Sequence, residues 1–289
     1  MFLQLLANGI VMGSIYSMVA LGFALVYNTT RIFHIAYAAI YMFSAYMFYA
    51  FFNLLHFQIL FSFLIAITLT IILSLTIERV VYRPLENRGS SLNVIMISSI
   101  GVMIIIVNSI AMFFGNETKI INQEIASSVS FGNIILTKVQ IAQFIVAMFA
   151  IIGFLLILKY TKLGIKTRAM RDDDILCTVF GIEIIKMRII LFALSAFFAA
   201  LGSSLIAYDV GVDPYVGLPM LLNAVVALII GGIGRFEAPV LGGFLIGILQ
   251  AIAVWAFSSR WQDAVTFSLL LLFLLFRPQG ILGEKKRMV

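Results

Sequence analysis

The distribution of charge constrains this chain more than any other feature. Residues 32–77 contain no Asp, Glu, Lys or Arg, and a stretch of that length is too long for one helix across a bilayer. The polar segment Asn53–His56 divides it, which predicts two membrane spans, at about 33–53 and 57–77. The whole chain is 63% hydrophobic and only 11% charged, whereas a soluble domain is about 25% charged. These values predict an all-α polytopic membrane protein.

Other apolar runs predict the remaining membrane segments. Full spans are expected at about 5–27, 92–114, 139–158, 189–208 and 238–256, and shorter segments at about 219–233 and 264–276. The total is about eight to ten segments, of which one or two are short or re-entrant.

Two stretches between these spans predict loops. A charged loop is expected at 78–89, because Pro84 disfavours helix just before it. A polar loop is expected at 115–137, in which residues 129–136 alternate weakly in hydrophobicity and favour a short hairpin or an interfacial segment.

A third loop carries a disproportionate share of the charge. Residues 159–188 hold 11 of the 32 charged residues and lie between two predicted spans. Within them, Lys166–Phe180 contains no Gly or Pro, which predicts a short helix outside the membrane. Gly181 follows at the position where glycine commonly ends a helix.

The pattern within this helix favours a docking element. Met170, Val179 and Phe180 recur near helical spacing and form an apolar face beside the acidic run Asp172–Asp174. A basic loop that only sets membrane topology is the simpler explanation. Such a loop needs positive charge but neither the aspartates nor the apolar face, so docking is favoured.

Lysine and arginine counts predict the orientation. With the loops after the first, third, fifth and seventh spans and the C-terminus on one side, that side receives 16 of these residues and the other receives 3. The positive-inside rule makes the first side cytoplasmic. The N-terminus and loop 115–137 are then periplasmic, and loop 159–188 is cytoplasmic. The net charge of +6 is explained in this way and does not indicate nucleic-acid binding.

A glycine-dense segment interrupts the apolar pattern at residues 231–243. Irregular backbone is tolerated at membrane depth only where it is shielded from lipid or faces water. We therefore expect Gly231, Gly232 and Gly234 to line a translocation path. A surface turn between two spans is the alternative explanation.

Several classes of chemistry are disfavoured. No acidic residue falls in the middle of a predicted span, which argues against an ion-coupled carrier. No nucleophile has a base or metal partner, so no catalytic residues are assigned and an intramembrane enzyme is not expected. His34, His56 and Cys177 stand apart, so no metal site is expected. The chain contains no phosphate-binding Gly-x-x-x-x-Gly-Lys-Ser/Thr motif, which predicts that it does not use ATP by itself.

Short motifs recur along the chain in a specific order, although each alone is weak. They are Gly13–Phe23, Val26–Tyr27 before Arg31–Ile32, Arg83–Leu85, Leu163–Gly164, Arg168–Ala169, Gly181–Ile182, Gly231–Gly234, Pro239–Gly243, and Arg277–Gly280 with Gly283. Together these motifs, over nearly the whole length, resemble the permease subunits of bacterial ABC importers for branched-chain amino acids.

This resemblance implies the ABC importer permease fold, with residues 1–289 as a single transmembrane permease domain in the bacterial inner membrane. It also implies four partners: a second homologous permease, two cytoplasmic ATPase subunits and a periplasmic substrate-binding protein. The chain itself would be a transport subunit without a bound cofactor, and ATP would be used by the ATPase partner.

The resemblance also implies a role for loop 159–188. Residues 164–182 would form the coupling helix that docks on the ATPase. The implied coupling residues are Gly164, Arg168, Ala169, Asp173, Cys177 and Gly181. The basic residues outside this core would be ordinary boundary anchors: Lys159, Lys162, Lys186 and Arg188.

The sequence departs from the family pattern after Arg31–Ile32. The family usually reads Asn-Phe-Ala-His-Gly there, whereas this chain reads His34–Ala38. The segment is a candidate re-entrant turn, so His34 and Tyr37 join the three glycines as candidate path residues. From its position alone, His34 is more typical of a hydrogen-bonded boundary histidine. Cys177 also stands where the family commonly has Ala.

The expected solutes are branched-chain or other hydrophobic amino acids. Two alternatives remain open at this point. One is a permease for a small amide, urea or a simple sugar, and the other is a standalone ion-coupled carrier, since such carriers can bind ions through backbone carbonyls.

Overall fold

The computed structural model describes residues 1–122, 127–131, 134–277 and 279–283. Its helices are α1 (Phe2–Thr30), α2 (Tyr37–Tyr49), α3 (Ile59–Ile77), α4 (Arg83–Asn87), α5 (Leu92–Phe114), α6 (Lys138–Tyr160), α7 (Lys162–Asp172), α8 (Asp174–Val179), α9 (Ile184–Val210), α10 (Gly217–Gly231), α11 (Ala238–Ala256) and α12 (Gln262–Phe276). Strands β1 (Ser128–Phe131) and β2 (Ile134–Thr137) pair antiparallel.

Short non-α turns extend three of these helices. A π-helical turn follows α2 at Ala50–Leu54, and another follows α3 at Glu78–Tyr82. A single 3-10 turn, Ser259–Trp261, precedes α12. π-helical turns are rare and are frequently found at functional sites.

The all-α polytopic prediction is confirmed. Among the described residues, seven helical segments are long and apolar enough to span a membrane: Phe2–Thr30, Ile59–Asn87, Leu92–Phe114, Lys138–Tyr160, Ile184–Val210, Ala238–Ala256 and Ser259–Phe276. The apolar helices α2 and α10 are shorter. They correspond to the predicted span at 33–53 and to the predicted short segment at 219–233.

One predicted loop is wrong. Residues 78–87 do not leave the helix but continue it through the π-helical turn into α4. Pro84 lies in the first turn of α4, directly after the π-helical turn. The hairpin expected near residues 129–136 is confirmed, although residues 132–133 lie outside the described part of the chain.

The helices form two compact units. The first comprises Met1–Ala24, Glu124–Leu155 and Leu222–Val289, so far as the structure describes them. Within it α1 contacts α11, and glycines let the two backbones approach closely. A Cβ on Gly243 would lie 2.4 Å from the Ser17 nitrogen, and one on Gly247 would lie 2.4 Å from the Gly9 carbonyl oxygen. Small residues in this arrangement are typical of helix contacts in lipid.

The second unit comprises Leu25–Gln123 and Leu156–Leu221. Helices α2, α3 and α9 pack together there, and α5 packs against α2. Buried aromatic side chains such as Tyr46 and Phe48 fill one end of this unit. Buried hydroxyl groups are paired across helices, as between Ser44 and Ser204 at 3.1 Å.

Contacts within the second unit show which connections share an end. At one end, the guanidinium of Arg31 donates to the Arg171 carbonyl at 3.3 Å, and the guanidinium of Arg188 pairs with Glu86. Arg31 follows α1, Glu86 lies in α4, and Arg171 and Arg188 belong to loop 159–188. The three connections predicted to be cytoplasmic therefore lie together.

The opposite end of the second unit gathers the connections predicted to be periplasmic. Lys119 and Val212 form an antiparallel bridge, and the Asn53 amide donates to the Ile121 carbonyl at 3.0 Å. The alternation of loops deduced from the charge counts thus agrees with the contacts in this unit.

Candidate functional site

The predicted coupling loop folds as two helices rather than one. A single helix over 166–180 was expected, but the backbone is extended at Asp173 (φ −159°, ψ 114°), which separates α7 from α8. The Asp173 carboxylate accepts a hydrogen bond from the Leu176 N–H at 3.0 Å and so caps α8. Aspartate favours such caps over helix interiors, which explains why the acidic run ends α7.

Two predicted coupling residues fix the corner between α6 and α7. A Cβ on Gly164 would lie 1.8 Å from the Leu158 carbonyl oxygen, so this close approach requires glycine. The Arg168 guanidinium donates to the same carbonyl. Thr161 caps α7 by accepting from the Gly164 N–H at 3.4 Å. Gly164 is buried and Arg168 is half-buried, so both are placed to shape the corner.

Gly181 ends α8 as expected. Its φ of 74° is left-handed, a conformation that glycine adopts without strain. The Ile182 N–H donates to the Cys177 carbonyl at 2.9 Å, and the Gly181 N–H donates to the Thr178 carbonyl at 3.1 Å. This pair of bonds is the Schellman motif. It turns the chain sharply between α8 and α9.

The apolar residues of this segment point in two directions. Met170 and Cys177 are buried, whereas Leu176, Val179 and Phe180 are exposed, Phe180 to 80%. The expected single apolar face containing Met170, Val179 and Phe180 is therefore wrong, because the break at Asp173 separates their helices. We call Leu176, Val179 and Phe180 the apolar knob.

Two further predicted coupling residues have local roles. The Ala169 carbonyl accepts from the Asp173 N–H at 3.0 Å, at the end of α7. Burial raises the pKa of the Cys177 thiol, and the carboxylates of Asp173, Asp174 and Asp172 raise it further. The thiol therefore stays neutral near pH 7 and is a packing group rather than a nucleophile.

Arg188 is not the boundary anchor that was expected. Its side chain is only 9% exposed and lies 3.2 Å from the carboxylate of Glu78, which is 5% exposed. It also pairs with Glu86 on α4. A cation between two carboxylates thus ties the start of α9, just after the coupling segment, to the π-helical turn. The sequence did not predict this contact, because a loop was expected at 78–89. An uninterrupted helix through Glu78 would have placed Glu78 and Glu86 on the same helical segment.

The candidate path residues His34 and Tyr37 lie together in the second unit. His34 is buried in the break between α1 and α2, and its Nδ1 is 2.7 Å from the Tyr82 hydroxyl. That hydroxyl is 2.8 Å from Ser99 Oγ, which accepts from the Ala36 N–H at 2.8 Å. His34 is hydrogen-bonded, as its position suggested, but its partner Tyr82 was not foreseen.

The candidate path glycines lie together in the first unit. Gly232 and Gly234 have left-handed φ values of 125° and 103°, and a Cβ on Gly231 would lie 2.0 Å from the Ala238 carbonyl oxygen. The backbone at the end of α10 is also capped by the C-terminal segment. The N–H groups of Ile281 and Leu282 donate to the carbonyls of Ile230 and Gly231, both at 2.8 Å. Pro278, part of the C-terminal motif, lies outside the described residues.

Among the residues that the structure describes, no group of three or more His, Cys, Asp or Glu residues is placed to hold a metal ion. What it presents is a set of apolar membrane-spanning helices and one short helical segment with an exposed apolar knob. These features define a multi-pass membrane protein.

Comparison with known proteins identifies its family. Residues 5–274 match the family described as branched-chain amino acid transport system / permease component, so the chain belongs to that family. It is 31% identical to the high-affinity branched-chain amino acid transport system permease protein BraD of Pseudomonas aeruginosa, over 98% of this chain and 96% of that protein. It is 29% identical to LivH of Escherichia coli, a permease protein described in the same words, with the same coverage.

A solved structure shares the fold. A chain of PsaBC from Streptococcus pneumoniae, in complex with Fab, superposes with a TM-score of 0.54 at 14% identity. The match covers 96% of this chain and 92% of that chain.

Proposed function

We propose that residues 1–289 act as one permease domain of an ATP-binding cassette importer for branched-chain or other hydrophobic amino acids. The names of BraD and LivH, which align over nearly the whole chain, support the solute class. The observation that carries the coupling role is the apolar knob. It projects at the end of the second unit where the basic connections gather, and this is where an ATPase would act.

The knob and its surroundings define the kind of surface that the ATPase partner would present. Phe180 and Val179 would fill an apolar groove, and the exposed Asp172–Asp174 would face basic residues at its rim. Charge complementarity of this kind fixes register and orientation. Gly164, Arg168, Ala169, Cys177 and Gly181 would support coupling by holding the segment in shape.

The remaining partners and the orientation follow from the same proposal. The excess of basic residues at one end supports placing that end, with the C-terminus, in the cytoplasm and the N-terminus in the periplasm. A second related permease, two ATPase subunits and a periplasmic binding protein would complete the importer in the inner membrane. ATP would be hydrolysed by the ATPase partner, and His34, Tyr37, Gly231, Gly232 and Gly234 remain proposed path residues.

Purification of the assembly tests this function. The chain should co-purify with two ATPase copies and a related permease, and binding protein loaded with leucine should stimulate ATP hydrolysis several-fold. Binding protein without solute is the control. Stimulation by urea, an amide or a sugar, but not by any hydrophobic amino acid, would contradict the proposed solute class.

A further inference from the structure

A cavity of about 420 Å³ lies within the second unit. Its walls come from α2, from α5 and from the connector that leads into α10, and they include Ala38, Ile104, Val107, Asn108, Tyr215 and Leu218. Among the described residues, its lining contains no charged side chain. Its volume lies within the range of about 300–1,000 Å³ typical of small-molecule sites, which are likewise mostly apolar with a few polar groups.

The cavity lies close to the middle of a membrane-spanning helix. Its α5 residues fall between 103 and 108, in a helix that runs from Leu92 to Phe114. At 1.5 Å per residue they lie within about 8 Å of the helix midpoint. The cavity is therefore placed at the depth where transporters hold their solutes.

Two helices that line this cavity, α2 and α10, each follow an interruption of helical structure. The chain is non-helical at 31–36, before α2, and at 211–216, before α10. The two following helices touch, since a Cβ on Gly217 would lie 2.2 Å from the Ala38 carbonyl oxygen. Helices broken at membrane depth are typical of solute sites in transporters.

The start of α10 lies at the wall of the cavity. The first N–H groups of a helix have no partner within it, and in the described part of the chain those of Gly217 and Leu218 make no backbone hydrogen bond outside it. Both residues line the cavity. The N-terminus of a helix favours carboxylates. Asn108, which also lines the cavity, donates its amide to the Ile104 carbonyl at 2.8 Å.

We propose that this cavity holds the transported amino acid, with its apolar side chain against α5 and its carboxylate at the start of α10. This inference rests on the proposed function and adds the site to it. The mostly apolar lining favours solutes with apolar side chains over those with ionic ones.

Two neighbouring residues of α5 allow a matched test. Ile104 lines the cavity and Ile105 does not, and both are at least half exposed, at 51% and 66%. In the assembled importer, Ile104→Trp should lower leucine uptake at least about tenfold by filling the cavity, and Ile105→Trp should change it less than about twofold. Equal effects of the two substitutions would overturn the proposal.

A substitution that enlarges the cavity tests its role in selectivity. Val107→Ala should raise the uptake of phenylalanine relative to valine by about tenfold. Each rate is divided by that of the wild type, so the preference of the separate binding protein cancels. An unchanged ratio would overturn the proposal.

Three other outcomes have distinct meanings. Loss of the second permease from the Ile104→Trp assembly would show that this face holds a subunit, and loss of a co-purified lipid with normal uptake would show a lipid site. Either result would overturn the proposed amino-acid site but not the proposed function. Failure of the wild-type assembly to import any hydrophobic amino acid would instead overturn the proposed function on which the site rests.

Discussion

Replacing Phe180 with Asp should lower ATP-driven uptake at least about 30-fold, because such an anchor residue contributes about 2–4 kcal/mol to an interface. Phe180 is 80% exposed, so the substitution should not disturb folding or membrane insertion. The ATPase subunits should also be lost during purification of the complex. Both uptake and the amount of co-purified ATPase are measured.

Two variants control for this result. Phe180→Leu keeps an apolar knob and should retain most of the uptake. Phe57→Asp makes the same change at an exposed phenylalanine in the connection between α2 and α3, which belongs to the opposite end of the second unit. It should leave ATPase recovery normal. If Phe180→Asp also leaves the recovery of the ATPase normal, the apolar knob is not part of the docking surface.

Replacing Arg188 with Met should destabilise the protein by about 3–5 kcal/mol, because it leaves a buried carboxylate on Glu78 without its cation. Thermal unfolding of the detergent-solubilised chain measures the effect. Removing that carboxylate as well, in the double variant with Glu78→Gln, should recover part of the loss, since the two residues act on each other.

An exposed ion pair two residues earlier provides the matched control for Arg188. Lys186 lies 2.8 Å from Glu183, and both side chains are mostly exposed. Lys186→Met should change stability by less than about 1 kcal/mol, because water screens the pair. Similar losses for the two variants would show that the Arg188 cluster contributes no more than a surface contact.

The membrane helices were predictable because a bilayer imposes length and apolarity on each span. The predicted span at 238–256 coincides with α11, Ala238–Ala256. The glycine at 181 was predictable for a local reason as well, since the end of a helix commonly requires a left-handed backbone. These features depend on residues close together in sequence.

Features that depend on distant residues were not predictable. Arg188 and Glu78 lie on different helices, and nothing local distinguishes Arg188 from the basic residues that do mark a boundary. The cavity is likewise formed by α2, α5 and the start of α10. The break at Asp173 was missed because no Gly or Pro marks it, and only its aspartate cap explains it.

Uptake of leucine into proteoliposomes tests the proposed transport function most directly. The purified assembly, with the binding protein outside the vesicles and ATP enclosed on the ATPase side, should accumulate leucine above its external concentration only when every subunit and ATP are present. Vesicles that contain this chain alone should show no uptake. Leucine movement by the chain alone, in ATP-free vesicles and driven by an ion gradient, would show an ion-coupled carrier and contradict the importer.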